Sequence, residues 1–154
     1  MTMSDLQPLM VLLAQAERRR DIAITEYQRT KVAFDAATEQ SRQLLTYRRE
    51  YEQRWSAQFS RDGKMELVHC YRAFMERLSQ AVDQQGRVAE YAEQNTGHAQ
   101  MQLRETELRC ASVRKLIERR TQGIRQSAEK RDQKQTDEQA SRTAWMQRSA
   151  SGHI

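Results

Sequence analysis

Three histidines, two cysteines and a Gly-Lys pair are the residues of this 154-residue chain that chemistry would recruit first. His69, His98 and His153 stand far apart, with no thiol or carboxylate company at metal-ligand spacing. His69 and Cys70 are adjacent, so a helix sends them to different faces, and nucleophilic catalysis needs a rigid convergence that they do not provide. Cys70 and Cys110 lie 40 residues apart, which is neither a metal spacing nor a disulfide framework. Free cysteine buries readily, so both are read as small apolar core residues. Gly63-Lys64 lacks the G-x-x-x-x-G-K-[ST] run that cradles phosphates. No catalytic residue, metal or cofactor is expected, and the chain is read as a non-enzyme.

The chemistry that remains is that of surfaces. The net charge is +5, and it is uneven. From Arg109 to Arg148 there are eleven Lys/Arg against five Asp/Glu, a net +6, while the rest of the chain carries 15 against 16. Such a basic stretch suits an acidic protein surface, nucleic acid or anionic lipid. The plainer alternative is a solvated helix laced by i,i+4 ion pairs of Asp132 and Glu138 with nearby cations. A zipper-type DNA reader needs its basic helix to lead into the seam, whereas here the basic stretch follows it, so sequence-specific DNA reading is not expected. A second candidate surface is the crowd of Tyr71, Phe74, Met75 and Leu78. Phe74 and Leu78 are i,i+4 and share a face. They are read either as filling a helix seam or as an anchor for a partner segment.

Composition decides which elements carry these residues. Ala, Glu, Lys, Leu, Arg and Gln supply 87 of the 154 residues, with only five Gly and one Pro, so long helices are expected in place of sheets. Ser4 and Gln7 have the spacing of a capping box, and Pro8 suits the first helical position. From there a 3-4 alternation runs through Leu6, Leu9, Leu13, Ala16, Arg20, Ala23, Tyr27, Thr30, Phe34, Ala37, Ser41, Leu44, Arg48, Tyr51 and Trp55. This is a heptad seam, and it calls for a second helix against it. Ser60-Arg61-Asp62-Gly63-Lys64 is the one good breaker in mid-chain. A second seam follows through Leu67, Tyr71, Phe74, Leu78, Ala81, Gln85, Val88, Ala92, Asn95 and Ala99. It resumes at Leu103, Thr106, Cys110, Val113, Ile117, Arg120 and Ile124 after a stutter placed near Asn95–Leu103.

The expected fold is all-α: a single antiparallel two-helix coiled-coil hairpin over residues 1–154 with a protruding C-terminal single helix. Helix 1 is expected at about 5–59, the turn at 60–64, helix 2 at about 65–146 and a frayed tail at 147–154. Folding at Gly63 sets residue i opposite roughly 125 − i, and leaves ~25 residues beyond Arg120, or ~40 Å of helix, without a partner in the chain. No apolar run approaches the ~20 residues of a membrane span. The cations of Glu17-Arg18-Arg19-Arg20 follow the apolar run at Pro8–Ala14, the reverse of a secretory signal, so a soluble cytoplasmic protein is expected.

Three stretches carry a resemblance to a known family, the flagellar type III export protein FliJ. Gln43-Leu44-Leu45-Thr46-Tyr47-Arg48-Arg49-Glu50-Tyr51 resembles the family's L-x-x-Y-x-x-E-Y segment. Cys70–Ala81 resembles Y-x-x-F-x-x-x-L-x-x-A-I, with Val82 in place of the isoleucine. Arg131–Arg142 resembles the terminal D-Q-K-x-x-D-E-x-A-x-R signature, the most specific of the three. The resemblance implies a stalk-like coiled coil that binds the hexameric flagellar export ATPase and promotes its assembly. It also implies contact with the cytoplasmic domain and linker of the membrane export gate protein, and help in recycling export chaperones. Phe74 and Leu78 match the family residues that dock on the gate linker. The basic arm, with Arg114, Arg119, Arg120, Arg125, Arg131, Gln133, Lys134, Asp137, Glu138 and Arg142, together with the N-terminal helix end, matches the part that enters the ATPase ring. Localisation would be cytoplasmic, peripheral at the inner membrane of the flagellar base, with no nucleic-acid partner. The competing readings are the equivalent stalk of a virulence type III secretion system and a scaffold or polyanion-binding coiled coil.

Overall fold

The computed structural model describes residues 3–152, with side chains from residue 5 onward. A 3₁₀ turn at Met3–Leu6 leads into α1 (Gln7–Arg61), and α2 (Met65–Ser151) returns antiparallel to it as a hairpin. The Ser4 side chain of the expected capping box lies outside the described residues. Pro8 is the second residue of α1, within the first turn, where its missing N–H leaves no helical bond unmade.

Helix ends fall where the backbone can be satisfied. At the close of α1 the Asp62 N–H donates to the Gln58 carbonyl at 2.8 Å, and at the start of α2 the Val68 N–H donates to the Lys64 carbonyl at 3.2 Å. Arg61 in the last turn of α1 and Glu66 in the first turn of α2 complement the helix dipoles. The reversal therefore narrows to residues 62–64. No glycine in it adopts a positive φ, and a Cβ on Gly63 would meet only the Phe59 carbonyl oxygen, at an ordinary 3.9 Å. Helix also runs on through residues 147–151, where fraying was expected, because nothing between Ala144 and Ser151 breaks it. Gly152 closes it by donating its N–H to the Arg148 carbonyl at 3.0 Å.

The chain divides into two compact units, Met1–Arg18 with Glu107–Ile154 and Arg19–Thr106. In the first, Leu6 of the 3₁₀ turn, Leu9 and Ala16 of α1 and Cys110 and Val113 of α2 are buried. Glu17 and Arg114 join the two helices through an ion pair of 3.2 Å. In the second, Ala23, Ala37, Leu78, Val82 and Ala99 are buried. There Tyr51 stacks on Phe74 and Thr30 meets Thr96, so residue i faces about 125 − i, as the turn position requires.

Along α1 every expected seam position is buried or half-buried, the arginines included. Arg20 lays its stem along the seam, with its side chain 26% exposed, and turns its guanidinium to Asp21 at 3.1 Å. Along α2 the expected phase needs correction. Val82, not Ala81, is the buried residue of that pair, and the seam continues through Gln85, Ala89, Ala92, Thr96 and Ala99. Val88 and Asn95 are exposed. The doubled spacing of four thus falls at Phe74-Leu78-Val82 instead of Asn95–Leu103. Volume favours Val82 over Ala81 in the seam, and the spacing that follows from Val82 then carries Ala89 inward and leaves the larger Val88 outside. Cys70 is exposed, while Cys110 is 1% exposed within the seam, so only Cys110 is a core residue.

Candidate functional site

Six of the chain's aromatic rings gather beside the turn of the second unit. Tyr47, Tyr51, Trp55 and Phe59 follow one another at i,i+4 on α1, and neighbouring rings stand 5.4–6.1 Å apart. Tyr71 and Phe74 of α2 close on this ladder. Phe74 lies 4.3 Å from Tyr51, and Tyr71 lies 5.4 Å from Trp55 and 5.3 Å edge-on from Phe59. Spacing of four repeats the ring on one helical stripe, so the ladder follows from the sequence once the antiparallel register brings Tyr71 and Phe74 opposite it. Offset and edge contacts of this kind each contribute ~0.5–1.5 kcal/mol beyond area burial.

The two predicted anchor residues differ in position. Phe74 is half-buried and keeps part of its ring in solvent. Leu78 is buried, only 8% exposed, and its side chain fills the seam between the helices. Phe74 therefore presents surface to solvent, whereas Leu78 does not. Tyr47 (44% exposed) and the half-buried Tyr51 sit beside Phe74 and enlarge the apolar surface. The sequence marks them by their repeat of four along α1, although the candidate surface read from Tyr71–Leu78 did not include them.

The basic stretch belongs to the first unit. Arg114 is committed to Glu17 across the helices. Arg119, Arg120, Arg125, Arg131, Gln133, Lys134, Asp137, Glu138 and Arg142 are all exposed. Thr121 and Ile124 are still half-buried, so cover extends slightly past Arg120, and from Arg125 to Gly152 every residue is exposed. Among the described residues no ion pair forms along that stretch, so the i,i+4 lacing of Asp132 and Glu138 is not present. Its side-chain bonds are local, from Thr136 to the Asp132 carbonyl, from Thr143 to the Gln139 carbonyl and from Ser151 to the Arg148 carbonyl. The stretch offers free cations along an uninterrupted helix, tipped by Trp145 and Met146, which are 70% and 64% exposed.

Two carboxylate–guanidinium pairs on the outer surface of α1 shift one another's titration. Arg29 and Arg42 hydrogen-bond Glu26 and Glu39, holding both carboxyls below the ordinary carboxylate range and raising the two guanidinium groups in return. These are solvent-exposed pairs with no cleft around them, so they are structural surface contacts and not acid-base machinery. Among the described residues no helix is long and apolar enough to cross a membrane.

The sequence model of the family described as Flagellar FliJ protein matches residues 4–149. No curated protein and no solved structure matches the chain.

Proposed function

The chain belongs to the FliJ family of non-catalytic flagellar export-apparatus components, and from that premise we propose that it is the export stalk of its own flagellum. In this reading the C-terminal part of α2 protrudes as a single helix, reaching ~40 Å at 1.5 Å per residue. That arm enters the ring of the hexameric export ATPase and promotes its assembly, with the N-terminal end of α1 beside it. The observation that carries the reading is the unbroken exposure of residues 125–152, with cations left free of intramolecular ion pairs. A helix that folds fully but buries nothing against its own chain is suited to burial in a partner. Arg119, Arg120, Arg125, Arg131, Lys134 and Arg142 would meet acidic or polar pore walls, with Gln133, Asp137 and Glu138 as polar contacts. Arg114 would support the arm through its pair with Glu17.

The aromatic surface beside the turn is the second contact, with the cytoplasmic linker of the export gate. Phe74 would make it, backed by Leu78 from within the seam. Recycling of export chaperones completes the role. The protein would work in the cytoplasm, peripheral to the inner membrane through these protein partners alone.

Deleting residues 111–154 tests the assignment. Purified hexameric ATPase should lose both binding and stimulation by the truncated chain, while the isolated gate domain still binds it. Intact ATPase stimulation would refute the arm assignment. The free cations also favour a polyanion-binding reading. It predicts binding to nucleic acid that falls steeply with salt and no preference for the ATPase.

A further inference from the structure

The hydrophobic seam of the second unit is thin where α1 passes Ala23 and α2 passes Ala99. Both residues are buried, but neither has a side chain that fills the space between helices. A groove of about 630 Å³ opens over them along one edge. Ile22, Arg19 and Arg29 form its α1 rim, and His98 and Gln102 its α2 rim. It follows α1 from Arg19 to Thr30, about three turns or ~16 Å.

The heptad spacing carries the same edge onward through Ala33 and Ala36 on α1 and Val88 and Tyr91 on α2. These four are uncharged and exposed, Tyr91 by 67% and Ile22 at the head of the groove by 70%. Lys31, Asp35, Glu39 and Arg42 lie off this stripe and tie one another into ion pairs. The groove edge is thus an apolar hollow whose polar rim holds one ion pair, Glu26–Arg29, while the surface away from it is charged and laced.

Charge selects the occupant. Arg19 makes no ion pair among the described residues, while Glu26 and Arg29 of the same lining neutralise each other, so the groove carries one unpaired positive charge. Glu26, the acidic residue of the lining, is already held by Arg29, so a second copy docking by this same face would bring Arg19 no free carboxylate. An amphipathic helix with acidic flanks meets Arg19 favourably. Laid in the groove it would touch both helices, as a third strand does in a coiled coil.

We propose that this edge of the second unit receives an amphipathic helix of a partner protein, its small apolar side chains over Ala23 and Ala99 and its acidic flank against Arg19. The surface is separate from both the aromatic contact and the basic arm, so its failure would leave those assignments untouched.

The probe is a fluorescein-labelled three-heptad peptide with Leu and Ala on its apolar stripe and Glu on both flanks. Its counterpart carries Lys on the flanks. Anisotropy titrations with the full chain should give the Glu peptide an affinity at least tenfold above that of the Lys peptide. Ile22→Glu, at the groove rim, should weaken it at least tenfold more than Val32→Glu. Val32 is equally exposed at 69% but faces away from the groove, and both variants should keep the wild-type circular dichroism spectrum. Absence of binding by either peptide, equal affinities for the two, or equal losses in the two variants would overturn the proposal. So would a wild-type dimer in sedimentation that Ile22→Glu dissolves, since the occupant would then be a second copy.

Discussion

Leu78 and Phe74 sit one helical turn apart, yet their alanine variants should fail in different ways. Leu78 is 8% exposed in the seam. Leu78→Ala removes three carbons at ~0.8 kcal/mol each, and a two-helix seam is open to water at its edges, so little cavity cost is added. The expected loss is ~2–3 kcal/mol. For a chain of this size that lowers Tm by ~5–10 °C. Phe74→Ala gives up a ring contact with Tyr51 at 4.3 Å, worth ~0.5–1.5 kcal/mol, together with a half-buried ring. Thermal melts at 222 nm measure stability, and calorimetric titration of the gate's cytoplasmic domain at 10 °C, where all variants are folded, measures docking. Leu78→Ala should melt early but bind within about twofold of wild type. Phe74→Ala should bind at least ~tenfold more weakly, as a central aromatic anchor does. A wild-type Tm for Leu78→Ala would refute its place in the seam. A folded Leu78→Ala that bound as poorly as Phe74→Ala would mean that Leu78 itself reaches the partner.

Gln85 spans the helices, donating to the Ala37 carbonyl at 3.3 Å and to Gln40 Oε1 at 3.1 Å. A polar seam residue specifies register at a cost in stability. Gln85→Leu should therefore raise stability by ~1 kcal/mol while broadening the distance distribution between spin labels at residues 34 and 92; an unchanged distribution would remove the register role. Gly97 has open space where a Cβ would stand, so Gly97→Ala should add ~1 kcal/mol of helix stability, and a lower Tm would contradict that placement. Glu26 and Glu39 titrate below their ordinary 4.5 because Arg29 and Arg42 bond them. Their contribution to the helix is present above that ordinary value and fades as pH falls through the lowered ones. Carboxyl carbon NMR should show Glu26 alone moving up in Arg29→Gln, and no movement would dismiss the pair.

Much of this architecture is written along the chain. A 3-4 alternation that holds from Leu6 to Trp55 can bury only one stripe of a helix, and a single breaker at Asp62-Gly63 leaves one way to cover it. Position of the turn then fixes register, because antiparallel pairing counts outward from it, and Tyr51 meets Phe74 accordingly. The excess of cations from Arg109 to Arg148 was equally legible, since charge needs no fold to be counted, but that those beyond Arg120 stay unpaired was not.

The phase of α2 was not legible. Ala81 and Val82 are both apolar and adjacent, so periodicity allows either, and only the opposing surface of α1 selects Val82 and with it Ala89 and Thr96 over Val88 and Asn95. The same packing sends Leu78 inward while leaving Phe74 at the edge, a distinction that i,i+4 spacing alone erases. Pattern along a helix determines which residues share a face; how deep each one lies, and which neighbours hollow out or fill the space beside it, depends on the side chains that the second helix brings opposite.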